Sequence, residues 1–237
     1  MAFLPLRILP ISFGSATLSR CRHYLNIRRA RDDGGRTAIG VDSPMAITLP
    51  VVAIGASGSA GIGDLRRLLG ALPRDIAAAV LVVLHRPVDR ISHLRELLAQ
   101  STALPVVIAA DFAGLEAGTC YIGEPDQHLT LLKKRLAGLV PAQGNRYRNR
   151  TIDLLFESVA RHAGTKAIGV VLSGMSDDGS RGLAAINRHG GRVMVVDPSG
   201  HGMPENAIAY NGLIDLIGTP EQIAGAITTS LHTSLHH

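Results

Sequence analysis

The sequence predicts a doubly wound α/β fold, a mostly parallel sheet with helices on both faces in three layers. Apolar runs alternate with amphipathic stretches from residue 49 to the C-terminus, the rhythm of βα units. The runs themselves, such as "VVAIGA" and "AAAVLVVLH", are apolar on both faces, as strands covered on both sides must be. Hydrophobic residues make up 46% of the 237-residue chain and aromatics only 3%. The core must therefore be built from Ala, Val, Leu and Ile, in a chain long enough for one large domain.

Taken in order, "PVVAIGA" is a buried strand, and residues 62–72 form a helix closed by Pro73. Residues 77–85 are a second continuous apolar strand. Residues 91–100 are helical, with Leu94, Leu97 and Leu98 on one face. "LPVVIA" and "GTCYIG" are short strands, and residues 128–140 a hairpin. Residues 152–163 form an amphipathic helix with Thr151 as N-cap. Residues 167–174 are another buried strand, 178–189 a helix closed by Gly190, and 192–197 a strand. Helices over 204–210 and 220–230 finish the chain. His93, His128, His162 and His189 fall in helices or turns and read as surface groups. The domain is expected over 45–231, with 1–44 a disordered extension and 232–237 a frayed tail.

The formal net charge of +5 does not point to nucleic acid. Residues 1–44 hold seven Arg against three Asp, a net of +4. The other residues hold 17 basic against 16 acidic groups, a net of +1. The basicity belongs to the extension, and few aromatics are present to stack on bases. No apolar run reaches the roughly 18 residues of a membrane span, so insertion is not expected. Two cysteines, Cys21 and Cys120, make no disulfide framework and fit a reduced, cytoplasmic setting.

In open parallel sheets, ligands bind beyond the carboxyl ends of the strands. The first strand ends at Gly55-Ala56-Ser57, the second at His85-Arg86-Pro87, and the strand from Ala167 runs into Met175-Ser176-Asp177-Asp178. Each residue alone has an ordinary explanation: a turn serine, a hydrogen-bonded histidine, an aspartate capping a helix. Serine, histidine and aspartate brought to one edge from separate segments are what nucleophilic catalysis requires. The glycines of "VVAIGASGSAGIGDL" miss the dinucleotide spacing, and no acid ends the second strand. A Walker lysine is absent as well, so the turn reads as a nucleophile support and not a phosphate cradle. The Gly-x-Ser-x-Gly elbow is also missing, and the order Ser, His, Asp differs from that of α/β-hydrolases.

The segments "VVAIGASGSAGIGDL", "VLVVLHRP", "TIDLLFESVA", "VVLSGMSDDGSRGLAAI" and "GMPENAI" occur in this order over residues 50–227. In this the chain resembles the catalytic domain of the CheB-type protein-glutamate methylesterases of bacterial chemotaxis. The resemblance implies Ser57 as nucleophile, His85 as base and Asp178 as orienting acid. It implies oxyanion donors at the backbone N–H of Met175 and of Gly58. It also implies hydrolysis of glutamate γ-methyl esters on chemoreceptor cytoplasmic helices or a related signalling protein, with glutamine deamidation beside it. No metal or other cofactor is expected. Departures are the longer Gly58-Ser59-Ala60-Gly61 turn and Ser176 in place of a glycine. Residues 1–44 are too few for the family's receiver domain, so a stand-alone catalytic domain is expected. A signalling scaffold of low turnover, or a small-molecule serine esterase, would use the same fold. Receptor helices rich in acids call for positive charge beside the site, and Arg86, Arg146 and Arg148 are the expected docking residues.

Overall fold

The computed structural model describes residues 49–86, 93–141 and 150–233. By contacts the chain divides into Met1–Ala46 and Ile47–His237, and the account below concerns the second unit. Its elements are β1 (Val51–Ser57), α1 (Gly58–Ala71), β2 (Ala79–His85), α2 (Leu94–Ala99), β3 (Val106–Ile108), β4 (Thr119–Ile122), β5 (Gln127–Leu132), β6 (Leu136–Pro141), α3 (Thr151–Ala163), β7 (Ala167–Val171), α4 (Ser180–Arg188), β8 (Arg192–Val196), α5 (Met203–Asn211), β9 (Leu216–Gly218) and α6 (Pro220–Thr233).

Seven strands form one sheet in the order β3-β4-β2-β1-β7-β8-β9. Every pairing in it is parallel. β5 and β6 pair antiparallel as a separate hairpin. The apolar runs are continuous because each strand feeds two cores. Val52, Ile54 and Ala56 of β1 pack in one cluster with Leu65, Leu68 and Leu69 of α1 and Ile223 and Ile227 of α6. Val51 and Ala53 pack in the other with Ile152, Leu155 and Phe156 of α3 and Leu183 of α4. Even-numbered residues of β1 thus face one helical layer and odd-numbered residues the other. Full burial of a Leu, Ile or Val side chain contributes about 1.5–3 kcal/mol, so the two clusters dominate stability. Arg67 adds a two-pronged contact from α1 to α6, with Nε and Nη2 at 2.7 and 2.8 Å from the Glu221 carboxylate.

The element types match the sequence expectations, and several boundaries differ. α1 begins at Gly58 and not at residue 62, because its first turn is helical without contributing a large apolar side chain. α4 begins at Ser180, after Gly179, and not at Asp178. Thr151 is the first helical residue of α3 and not its N-cap. α6 runs through Thr233. The edge strand β9 was not expected. His128 is a strand residue only 2% exposed, where a surface histidine was expected. Among the described residues no helix is long and apolar enough to cross a membrane.

Candidate active site

β1 is where the strand order reverses: chain order runs outward through β2 on one side and through β7 and β8 on the other. A crevice at the carboxyl ends of such neighbours is the usual ligand site of an open sheet. Ser57 ends β1 and His85 ends β2, and the two are in-register partners on adjacent parallel strands. Both continue the odd-numbered series that faces α3 and α4. Parity therefore places their side chains on the same face of the sheet, toward the start of α3.

Asp178 approaches from that face. It lies in the loop between β7 and α4, only 1% exposed. Its Oδ2 stands 2.7 Å from His85 Nε2. The same oxygen accepts the Ile152 N–H at 2.8 Å, and Oδ1 accepts the Asp153 N–H at 2.8 Å. Asp178 thus serves as the missing N-cap of α3, supplied from 26 residues away in the chain. A carboxylate at this end is favoured by the helix dipole, and the cap contributes about 1 kcal/mol. With Nε2 facing a carboxylate, that nitrogen carries the proton and Nδ1 of His85 is the basic one.

Ser57 occupies the N-cap position of α1 with extended backbone (φ −148°, ψ 144°), yet its side chain makes no capping bond. Its Oγ is bonded to no described residue, His85 included. A turn serine kept for structure would spend its hydroxyl on the helix N–H groups. The backbone beneath is fixed instead: Ser57 N–H donates to Ser173 O at 3.0 Å, and Ser173 N–H donates to Asp64 Oδ2 at 3.2 Å. Ser59 is exposed in the first turn of α1.

Gly58 begins α1, whose first-turn N–H groups have no acceptor within the helix. The Met175 N–H also has no acceptor among the described residues, and its side chain is 88% exposed at the rim. The loop carrying it is pressed against Ser57. A Cβ on Gly174 would lie 2.7 Å from Ser57 Cβ and would also overlap Met203 Sδ. Gly179, next to Asp178, has φ 96°, and a Cβ there would lie 2.9 Å from Ile152 Cγ2. Glycine at these two positions lets the loop carrying Asp178 and the turn at Ser57 come this close.

The remaining candidates divide. Arg86 is half-buried, donates from Nη2 to the Gly123 carbonyl, and is lowered by burial. Arg146 and Arg148 lie outside the described residues. Cys120 is fully buried, which pushes its thiol up to about 12 and removes it as a nucleophile. Burial lowers His128, against the opposing charge of Asp178, so its imidazole is neutral at neutral pH. Among the described residues no three His, Cys, Asp or Glu side chains gather to hold a metal.

Sequence reasoning missed Asp153. It is buried on the first turn of α3, and its Oδ1 accepts the N–H groups of Gly179 at 3.0 Å and Gly182 at 2.8 Å. Arg150 spans this corner, with Nη1 3.4 Å from Asp153 Oδ2 and Nη2 2.8 Å from Asp177 Oδ2. Burial pushes the Asp153 carboxyl up, the charge of Asp178 adds to this, and the two N–H donors and Arg150 oppose it. The only sequence signal was an acid in the first turn of a helix, which a generic dipole preference explains equally well.

Fold and site together define an open-sheet α/β protein that holds Ser57 and His85 at adjacent strand ends, with the buried Asp178 of the β7–α4 loop against His85. The family follows from comparison with known proteins: the chain belongs to the CheB methylesterase family, whose family model matches residues 52–227. It is 36% identical over 170 residues to a protein-glutamate methylesterase/protein-glutamine glutaminase of Cupriavidus pinatubonensis, covering 70% of this chain and 50% of that protein. It is 33% identical over 187 residues to one from Methanosarcina mazei, covering 75% and 50%. The chain thus spans about half the length of these relatives. The crystal structure of the Thermotoga maritima CheB methylesterase catalytic domain superposes with a TM-score of 0.69 at 26% identity, covering 76% of this chain and 98% of that one.

Proposed function

We propose that the protein is a serine hydrolase that removes methyl groups from glutamate γ-methyl esters of chemoreceptor cytoplasmic helices, or of a related signalling protein. The observation that carries this is the 2.7 Å contact between His85 Nε2 and buried Asp178, with Ser57 in register beside His85. Ser57 Oγ attacks the γ-carbonyl carbon as its proton passes to His85 Nδ1. Asp178 holds the ring in this tautomer and stabilises the imidazolium. The Gly58 and Met175 N–H groups receive the oxyanion, and loss of one such donor costs about 3 kcal/mol in the barrier. The C–O bond to methoxide breaks as His85 returns the proton, and methanol leaves. Water, deprotonated by His85, then hydrolyses the acyl-enzyme and frees Ser57 and a glutamate. The same steps on a primary amide release ammonia, the glutaminase activity in the relatives' names.

The test is incubation with a methyl-labelled chemoreceptor cytoplasmic fragment, measuring released methanol. Release that disappears in Ser57→Ala supports the reading. No release from the wild-type chain against receptor fragments of several sequences overturns it and favours a scaffold. Arg146→Glu with Arg148→Glu tests docking: KM for the receptor fragment rises, while hydrolysis of a small uncharged ester is unchanged. Gly174→Ala is expected to destabilise the protein by about 1–3 kcal/mol in urea unfolding, as overpacking does. It also lowers kcat by about tenfold or more, because the new methyl pushes on Ser57 Cβ.

A further inference from the structure

We propose that Asp153 is the positioning residue of the site: its carboxylate ties down the loop that carries Asp178 and so sets the acid against His85. The inference rests on Asp178 acting as the orienting acid.

The two acids are exchanged between two helices. Asp178, just ahead of α4, accepts the Ile152 and Asp153 N–H groups at the start of α3. Asp153, on the first turn of α3, accepts the Gly179 and Gly182 N–H groups at the start of α4. Neither helix receives a side-chain cap from its own N-cap residue, Arg150 in one case and Gly179 in the other. Each is completed by the other's acid. Gly179 adjoins Asp178 in the chain, so the Asp153 bond acts on the peptide unit that aims the Asp178 side chain. Both acids are buried, Asp153 at 5% and Asp178 at 1% exposure, and water cannot replace a lost acceptor there without a rearrangement. Arg150 closes the arrangement, reaching Asp153 with Nη1 and Asp177 with Nη2. The groups facing Asp153 are therefore Asp178, Arg150 and the two glycine N–H donors, with Asp177 on the far side of Arg150.

What Asp153 supplies is an acceptor at a fixed point. Asp153→Asn keeps an oxygen there and loses the charge. Asp153→Glu keeps the charge and moves the oxygen by one methylene. Asp153→Ala removes both. Support of this kind for a catalytic group is typically worth about 10–100-fold in activity. The expected order of kcat on a methylated receptor fragment is wild type, then Asp153→Asn within about fivefold, then Asp153→Glu and Asp153→Ala lower by about 10–100-fold. KM is unchanged throughout, since Asp153 is buried behind the Asp178 loop. The second readout needs no turnover: the downfield proton resonance of the His85–Asp178 hydrogen bond, recorded well below the unfolding temperature of each variant. It persists in Asp153→Asn and weakens or is lost in Asp153→Glu. If the alanine variant does not fold, the Asn and Glu pair still decides. Asp153→Glu with wild-type kcat and resonance, or Asp153→Asn as impaired as Asp153→Ala, overturns the proposal. If the wild-type chain hydrolyses no methyl ester, the esterase reading falls, and the resonance comparison still decides the positioning role.

Discussion

Ser57→Ala is expected to lower methanol release by about 10³-fold or more, as loss of a nucleophile does, with thermal unfolding close to wild type. The two halves of this result have separate causes. Ser57 Oγ caps no helix N–H and bonds to no described residue, so its removal breaks no hydrogen bond among the described residues. The Ser57 N–H, which does hold the turn to Ser173 O at 3.0 Å, is backbone and survives the substitution. Ser59→Ala should behave in the opposite way. Its side chain is exposed on the first turn of α1, and alanine there changes stability by no more than about 0.5 kcal/mol and leaves turnover near wild type. A fluorophosphonate adduct, located by mass spectrometry, should fall on the peptide at Ser57. An adduct on Ser59 would place the nucleophile within the first turn of α1 and not at the end of β1.

Strand parity explains why two of the candidate residues, each legible as the end of an apolar run, stand side by side. In a strand buried on both faces, alternate residues serve opposite layers. Counting by two from Val51 and from Ala79 reaches Ser57 and His85. The two are aligned by the same periodicity that makes the runs uniformly apolar, and each side chain departs from that pattern only at the strand end. Glycine and proline punctuation likewise carried the element order. What sequence could not carry is the cap exchange between α3 and α4. Thr151 was the natural local candidate for a cap, and the structure instead brings the acceptor from Asp178 through tertiary packing. Asp153 was hidden for the same reason, since its partners Gly179 and Gly182 lie 26 and 29 positions away. His128 escaped because a polar residue opening a hairpin strand looks solvated unless one knows that α3 covers it. β9 escaped because three residues are too few to show a period.

The cap exchange changes what is expected of the acid. Judged as a triad member alone, Asp178→Asn would lower turnover by about 10²–10⁴-fold by favouring the wrong tautomer, with little effect on folding. The structure leads to the same kinetic loss and adds a stability loss. An asparagine offers one oxygen where Asp178 offers two, and both are in use. If its oxygen stays with the Asp153 N–H, its NH₂ faces the Ile152 N–H and His85 Nε2. One buried donor is then unpaired, at a cost of about 1–3 kcal/mol. The ring can accept from the NH₂ only by moving its proton to Nδ1, the position proposed to take the Ser57 proton. If the amide turns over, the Asp153 N–H is left instead, and His85 Nε2–H meets a weaker, neutral acceptor. Either way turnover falls together with the urea midpoint. Asp177→Asn separates the acid from the loop. Its side chain is 60% exposed and pairs with Arg150 at 2.8 Å, an exposed pair worth about 0.2–1 kcal/mol. It should leave turnover within a few fold of wild type. Equal kinetic losses in the two variants would show that the shape of the loop matters and the Asp178 carboxylate does not.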